Sequence, residues 1–236
     1  MVKYILSGLS SILLFLSSCD EGTIYPEEVN TETGCNATVE VVFADLKAWP
    51  KKNFLTLSAF GDDPGKPIVS KRIGRPTVEG KPMTLKLHNI RPETKTLEFA
   101  VVSNGQKVVY SYCSFPINPQ DKETYIDAGI LELGSYTRIQ SQVFDNNCLS
   151  CHGGSSSTPA GNLDLRHDVS YKSLVNVKAP VSPDGKNYVT PGDLQNSFLL
   201  DILEEHPIHR DIFNSSGKKE ILGLIEGWIL GGAKNN

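Results

Sequence analysis

Residues 96–112 read TLEFAVVSNGQKVVYSY, with two runs of β-branched and aromatic residues on either side of Asn104-Gly105. Asn-Gly favours a tight hairpin because both residues readily adopt the positive φ that such a turn requires. Similar short runs, separated by turn residues, continue on both sides of this segment. Short alternating strands at this spacing predict an antiparallel, immunoglobulin-like β-sandwich over residues 37–135.

The alternation within these runs also predicts the core of the sandwich. Leu85 and Leu87 share one face of their run, and Phe99 and Val101 share one face of another, so both pairs are expected to point inward. The large aromatic residues of this region are expected in the core rather than on a binding surface; they are Trp49, Phe54 and Phe60.

The first residues have the layout of an export signal. Lys3 precedes an apolar run that is too short to span a bilayer comfortably. The run ends in Leu16-Ser17-Ser18-Cys19, which resembles a lipobox. This resemblance implies a signal peptide of residues 1–18 and lipid attachment at Cys19. The alternatives are an uncleaved anchor, or an ordinary signal cut beside an incidental cysteine.

An acidic tether is predicted at residues 19–36, because residues 20–34 contain five acidic residues and no basic one. Such a stretch behind a lipidated cysteine resembles the surface-export signal of Bacteroidota lipoproteins. In other Gram-negative bacteria, an aspartate directly after the cysteine retains lipoproteins in the inner membrane. We expect a membrane-anchored lipoprotein on the periplasmic or cell-surface face of the outer membrane.

The charge of the chain gives no sign of nucleic-acid binding. Loss of Lys3 with the signal leaves 22 of the 23 basic residues against 27 acidic ones, a net charge near −5. Nucleic-acid binding would need clustered basic charge, so this class of partner is not expected.

Five cysteines need a role. Cys19 is assigned to lipid, and Cys148 and Cys151 belong to a motif described below. Cys35 and Cys113 remain, and they flank the strand-like region. An exported protein meets an oxidising compartment, so a Cys35–Cys113 disulfide is predicted. Two unrelated buried thiols are the alternative.

Beyond Gly134 the sequence changes to helical periodicity. Apolar residues recur on one face of three segments, and a Gly- and Ser-rich loop at 153–165 follows the first. The last hundred residues are therefore predicted to be helical with long loops. The three segments are RIQSQVFDNN at 138–147, PGDLQNSFLLDIL at 191–203 and GKKEILGLIEGWILGGA at 217–233.

Residues 148–152, CLSCH, fit the Cys-x-x-Cys-His attachment signature of c-type haem. Two thiols bond to the two vinyl groups of one porphyrin edge, so they must lie a short turn apart, and the adjacent histidine ligates the iron. A redox dithiol is one alternative, although its usual βαβ context is missing. A zinc site is another, since His206 and His209 could nominally complete four ligands.

The segments after this motif extend the interpretation. Together with the motif they resemble a single-haem cytochrome c domain, of the type common on large bacterial surface and periplasmic proteins, including those of planctomycetes. The resemblance covers about residues 137–233 and leaves the sandwich uncovered. The segments are AGNLDLR at 160–166, YVTPGDLQNSFLLDIL at 188–203 and EILGLIEGWILGGA at 220–233.

This resemblance implies an α+β chain of two domains, in which the β-sandwich is followed by an all-α cytochrome c domain at residues 137–236. It implies haem c bonded covalently to Cys148 and Cys151, with His152 as the proximal iron ligand. Phe144 and Trp228 are expected to pack beside the haem edge or in the core.

The family usually supplies its second iron ligand from a Met-Pro pair. The methionines here are Met1 and Met83, both outside this region, and His206-Pro207 stands at the matching place. We therefore expect His206 to be the distal ligand. His209 is the second candidate and His167 the third. An open or water-bound site, which would permit ligand binding or peroxidase chemistry, is a further alternative.

A second imidazole favours ferric iron more than a thioether does. A bis-histidine haem is therefore expected to be low-spin, with a lower reduction potential than a His/Met relative. Pro207 is expected to fix the chain direction after the ligand, and Gly153 to let the backbone pass close to the porphyrin.

The predicted function is electron transfer by a lipid-anchored monohaem protein, rather than an enzymatic reaction. Its expected partners are redox proteins, and the membrane through the lipid on Cys19. The rival hypothesis is a surface lipoprotein whose sandwich binds a glycan or a protein, with haem in an accessory or sensory role. A reductase or respiratory complex as partner would favour the first, and a polysaccharide the second.

Overall fold

Two β-sheets make up most of the regular structure. The computed structural model describes residues 34–153, 158–213 and 215–236. Its strands are β1 (Cys35–Ala44), β2 (Phe54–Phe60), β3 (Val69–Arg72), β4 (Pro82–Ile90), β5 (Thr96–Val102), β6 (Val108–Pro116) and β7 (Glu123–Glu132). One sheet has the order β4-β1-β7 and the other has the order β3-β2-β5-β6.

The hairpin predicted at Asn104-Gly105 is present between β5 and β6, which pair antiparallel. The Ser103 carbonyl accepts the N–H of Gln106 at 3.0 Å, and Gln106 adopts a left-handed conformation with φ of 58°. The positive φ therefore falls after the Asn-Gly pair, as in hairpins whose turn ends in a left-handed residue.

The facing sides of the two sheets form an aromatic and aliphatic core. Leu85, Leu87, Phe99 and Val101 are all buried, as predicted from the alternation. Phe43 of β1 meets Phe99 of β5 edge to face, with their ring centroids 6.0 Å apart. An edge-to-face aromatic pair stabilises the packing of the two sheets by more than the free energy of burying its apolar surface.

The predicted aromatic core residues behave in two ways. Trp49 and Phe60 are buried. Phe54 is half-buried, and the Arg72 guanidinium covers its ring at 3.6 Å from the centroid. A cation over an aromatic face is attracted by the ring quadrupole, so Phe54 is shielded by charge rather than by apolar neighbours.

The predicted fold class is wrong. The strands β1 and β7 run parallel, so the sandwich is not purely antiparallel. The described residues are mostly β, and residues 137–236 do not form an all-α cytochrome c domain. Isolated bridges such as Val175 to Val189 and Lys178 to Asn187 occupy a long stretch that contains no helix between residues 175 and 197.

The helices of this part are mostly short. A continuous helical stretch consists of α1 (Tyr136–Ile139), a π-helix (Gln140–Cys148) and α2 (Leu149–His152). It is followed by α3 (Ser170–Leu174), α4 (Phe198–Glu205) and α5 (Ser215–Leu230). Helices are present in all three predicted segments: residues 138–147 lie within the continuous helical stretch, residues 198–203 within α4 and residues 217–230 within α5. Residues 191–197, the first part of the second predicted segment, are not helical. Among the described residues, no helix has the length and apolar content needed to cross a membrane.

Three glycines let α5 lie directly against the chain between β1 and β2. Gly223, Gly227 and Gly231 recur every fourth residue along one side of the helix and just past its end. A Cβ at Gly227 would lie 2.7 Å from the backbone nitrogen and Cβ of Ala48, and one at Gly223 would lie 2.8 Å from the Lys47 carbonyl. The close approach therefore depends on the missing side chains.

A buried ion pair joins the helical part to the sandwich. Arg138 of α1 is fully buried, and its Nη2 lies 3.2 Å from Oε1 of Glu220 in α5. Arg138 also donates to the hydroxyl of Tyr112 at 2.6 Å and to Oε1 of Gln142 at 3.0 Å. Glu220 accepts the three backbone N–H groups of residues 51–53 at 3.2, 2.7 and 3.0 Å.

We expect Glu220→Gln to lower the free energy of unfolding by about 3 kcal/mol at pH 7, since it leaves Arg138 as a buried charge without its partner. Burial disfavours the Glu220 carboxylate, but hydrogen bonds from Asn53 and Lys52 and the charge of Arg138 lower its pKa below the ordinary 4.5 on balance. A lowered pKa contributes stability above pH 4.5 that is lost as the pH falls.

Urea unfolding of the wild type and Glu220→Gln, from neutral to acid pH, measures this effect. The difference between the two proteins should shrink as the pH drops below the ordinary carboxyl pKa. Glu93→Gln is the matched control, because Glu93 is exposed and its ion-pair partner, Arg91, is exposed as well. A difference that stays constant over the whole pH range would contradict the assigned role of the carboxylate.

Gly227→Ala should destabilise the protein by about 2 kcal/mol, because the added methyl overpacks the contact with Ala48. In a helix with free space, the same substitution would stabilise by about 1 kcal/mol. The unfolding temperature should therefore fall if α5 contacts the chain between β1 and β2, and a rise would contradict this contact. Leu230→Ala, at a half-exposed position of the same helix, should change stability by less than about 0.5 kcal/mol.

Candidate functional site

A cavity of about 480 Å³ lies beside the cysteine motif, a size typical of small-molecule and cofactor pockets. Its wall combines thiol and imidazole groups with apolar side chains. The thiol and imidazole groups belong to Cys148, Cys151, His152, His206 and His209. The apolar wall includes Val143, Phe144, Leu163, Leu165, Leu199 and Leu203.

The helical stretch that carries the motif widens just before the cysteines. In the π-helix, Asn147 donates its side-chain amide to the Val143 carbonyl at 3.1 Å, and the Leu149 N–H reaches back to the Phe144 carbonyl. Hydrogen bonds over five residues widen the helix, and such segments are frequent at functional sites. Val143 and Phe144 are both buried and both line the cavity, so this segment links the core to the site.

Two hydrogen bonds orient the motif histidine. The Nδ1 of His152 lies 3.2 Å from the Leu163 carbonyl, and the His152 carbonyl accepts the Leu165 N–H at 2.7 Å. A carbonyl only accepts, so Nδ1 must carry the proton and Nε2 keeps its lone pair. A histidine held in this way has the tautomer that metal-ligating histidines commonly have.

The two motif thiols are free and differ in their surroundings. Cys148 is half-buried and Cys151 is exposed. Burial, assisted by the neighbouring Cys151, raises the pKa of the Cys148 thiol to about 11. Redox dithiols usually work through a thiol whose pKa is lowered, so this environment argues against the dithiol alternative.

The remaining histidines are placed differently. His206 ends α4 and is exposed, whereas His209 is half-buried, and their ring centroids are 5.1 Å apart. The ring of His209 lies 6.0 Å from that of His152. Burial and then the two neighbouring imidazoles lower the pKa of His209. His167, the third candidate, has a side chain that is 72% exposed and contacts Asp168.

Most of the cavity wall is apolar. Val181 and Ile208 contribute to this wall although they are 66% and 74% exposed. A bound porphyrin would cover such residues, and the two thiols and the His152 imidazole are the groups by which c-type haem is held. The residues present therefore fit haem c.

The zinc alternative finds less support in the arrangement of the side chains. Within the described ranges, no three His, Cys, Asp or Glu side chains are grouped closely enough to hold a metal ion by themselves. A structural zinc site needs four such ligands around one point.

The supporting residues are only partly where they were expected. Phe144 lines the cavity. Trp228 is buried against Tyr136, with ring centroids 5.2 Å apart, and its indole N–H donates to the Lys234 carbonyl, so it belongs to the core. A Cβ at Gly153 would lie 2.7 Å from the Leu149 side chain, so the close approach at Gly153 is to protein atoms.

The predicted Cys35–Cys113 disulfide is not formed in this structure. Both thiols are free, and the two residues belong to different sheets. The Cys35 sulfur instead contacts Oγ1 of Thr124, within its own sheet, at 3.5 Å. The predicted lipidation site, Cys19, lies outside the described residues.

A second cavity of about 250 Å³ lies at the buried ion pair and is lined mainly by polar residues. Two of its lining groups are already hydrogen-bonded: Asn53 donates to Glu220 at 2.9 Å, and Gln142 accepts from Arg138 at 3.0 Å. The polar lining of this cavity thus belongs to the hydrogen-bond network that joins the helices to the sandwich.

Two kinds of group at this site could not be identified from the sequence: a backbone carbonyl that orients His152, and exposed aliphatic side chains in the cavity wall. A residue pattern does not show the Leu163 carbonyl, which orients His152, although Leu163 lies in the AGNLDLR segment that carries the resemblance. Val181 and Ile208 gave no signal, because single aliphatic residues in polar loops are common.

Comparisons of this chain with protein-family models, with curated proteins and with solved structures found no significant match.

Proposed function

We propose that this protein binds one haem c covalently and transfers electrons. Cys148 and Cys151 would bond the porphyrin, and His152 would ligate the iron. The observation that carries the proposal is the convergence of these three side chains on one largely apolar cavity of about 480 Å³, with the Nδ1 of His152 engaged by a backbone carbonyl.

Covalent attachment needs two free thiols, and Cys148 and Cys151 are free. Each free S–H would add across one vinyl C=C, so that sulfur bonds to one carbon and hydrogen goes to the other, without net oxidation or reduction. Both motif thiols are unbonded, and both line the cavity. A half-buried Cys148 and an exposed Cys151 supply one anchor inside the cavity wall and one at its edge.

The bound haem would supply a reversible one-electron couple, and the protein would set its environment. The apolar side chains of the cavity exclude water, which disfavours the extra charge of ferric iron. His152, oriented by the Leu163 carbonyl, would hold the iron through Nε2. The exposed Val181 and Ile208 at the cavity support a haem edge close to the surface, where a redox partner could dock.

Covalent haem survives denaturation, so a haem stain on a denaturing gel tests the proposal directly. The wild type, produced in an exporting host with a cytochrome c maturation system, should stain and should gain the mass of one haem. Cys148→Ala/Cys151→Ala should lose both the stain and the added mass, because no thioether can form.

Cys113→Ala is the matched control, because it removes a half-buried thiol that is not part of the cavity wall. It should stain like the wild type. An unstained wild type, or a stain that persists in the double variant, would rule out covalent attachment at the motif.

A further inference from the structure

We infer that His209, rather than His206, is the second axial ligand of the iron, and that His206 is the residue that positions it. This inference rests on the proposed function, because it assigns a ligand within the proposed haem site. It departs from the expectation that the histidine of the His206-Pro207 pair takes the place of the usual methionine.

The first argument is the distance between rings. The centroids of His152 and His209 are 6.0 Å apart, with the ring planes inclined by 33°. Two imidazoles bound to opposite sides of one metal, each at about 2 Å, would have ring centroids about 6 Å apart. Among the described residues, His209 is the histidine whose ring lies at this distance from His152.

The second argument is the protonation of the nitrogen atoms. The Ile208 N–H donates to Nδ1 of His206 at 3.4 Å, so this nitrogen is an acceptor and the His206 proton sits on Nε2. The Nδ1 of His209 lies 3.3 Å from the same atom. A hydrogen bond between the two Nδ1 atoms has His209 as its donor, and it shares the one lone pair of this His206 nitrogen with the Ile208 N–H. In this arrangement His209 keeps a lone pair on Nε2, as His152 does, whereas the Nε2 of His206 carries a proton.

The third argument is the backbone turn that presents the two rings. The His206 carbonyl accepts the N–H groups of His209 and Arg210, both at 2.9 Å, and the His209 carbonyl accepts the Ile212 N–H at 3.1 Å. These bonds return the chain toward the cavity after α4. They leave His206 exposed and His209 half-buried.

The pairing of the two histidines has a consequence for the iron. A ligating imidazole whose Nδ1–H is donated to an acceptor becomes a more basic ligand. More basic axial ligands favour ferric iron and lower the reduction potential. His206 therefore acts on the potential through His209, and removing it should raise the potential while the iron keeps six ligands.

Absorption and electron paramagnetic resonance spectra of the haem-loaded protein, with carbon monoxide as the probe of an open site, test the assignment. The wild type should be low-spin and slow to bind carbon monoxide. His209→Ala should become high-spin and bind carbon monoxide readily. His209→Met should stay low-spin and gain a sulfur-to-iron charge-transfer band.

His206→Ala should remain low-spin, with a raised reduction potential. The control is His167→Ala, which removes an exposed ring that is not part of the cavity wall and should leave both spectrum and potential unchanged. If His206→Ala becomes high-spin while His209→Ala stays low-spin, the ligand is His206 and the inference is wrong. A wild type that is high-spin, or that binds carbon monoxide at once, also overturns it.

The haem stain separates failure of this inference from failure of the proposed function. A wild type without covalent haem overturns both. A stained wild type with spectra opposite to those expected overturns only the assignment of His209 and leaves covalent haem binding in place.

Discussion

The ion pair between Arg138 and Glu220 fixes the helical region of the described structure against the β-sandwich. Burying two charges is costly unless their remaining hydrogen-bonding capacity is used. Here Glu220 accepts from the backbone of residues 51–53, and Arg138 donates to Tyr112 and Gln142. The start of the helical stretch and the last helix are therefore both hydrogen-bonded to the sandwich and the residues just before β2.

The candidate site is assembled from segments far apart in sequence. The π-helix supplies apolar wall and the Cys148 thiol, and α2 supplies Cys151 and His152. The Leu163 carbonyl orients His152, and the turn after α4 supplies two more imidazoles. Each segment is irregular, and each is fixed by hydrogen bonds to backbone groups. Irregular backbone of this kind carries function well because it presents side chains at angles that regular helices do not offer.

Some of these features could be predicted from sequence and others could not. The hairpin at Asn104-Gly105, the inward residues such as Phe99, and the convergence of the motif residues depend on local patterns, which sequence displays directly. The parallel pairing of β1 with β7 and the placement of Cys35 and Cys113 in different sheets depend on which distant strands become neighbours. Local patterns in a single sequence do not show these pairings. The proposal of His209 rather than His206 rests on a ring distance to His152 and on hydrogen bonds within one turn, neither of which a residue pattern shows.

The parallel pairing of β1 and β7 also sets an order of assembly. β1 cannot gain that neighbour until residues 123–132 have been made, and pairings between distant segments form late because the intervening loop must close first. The CLSCH segment is synthesised before α4 and the turn behind it, which supply the facing wall of the cavity. The two sulfur atoms of the motif are therefore in place before the residues that face them across the cavity have been made.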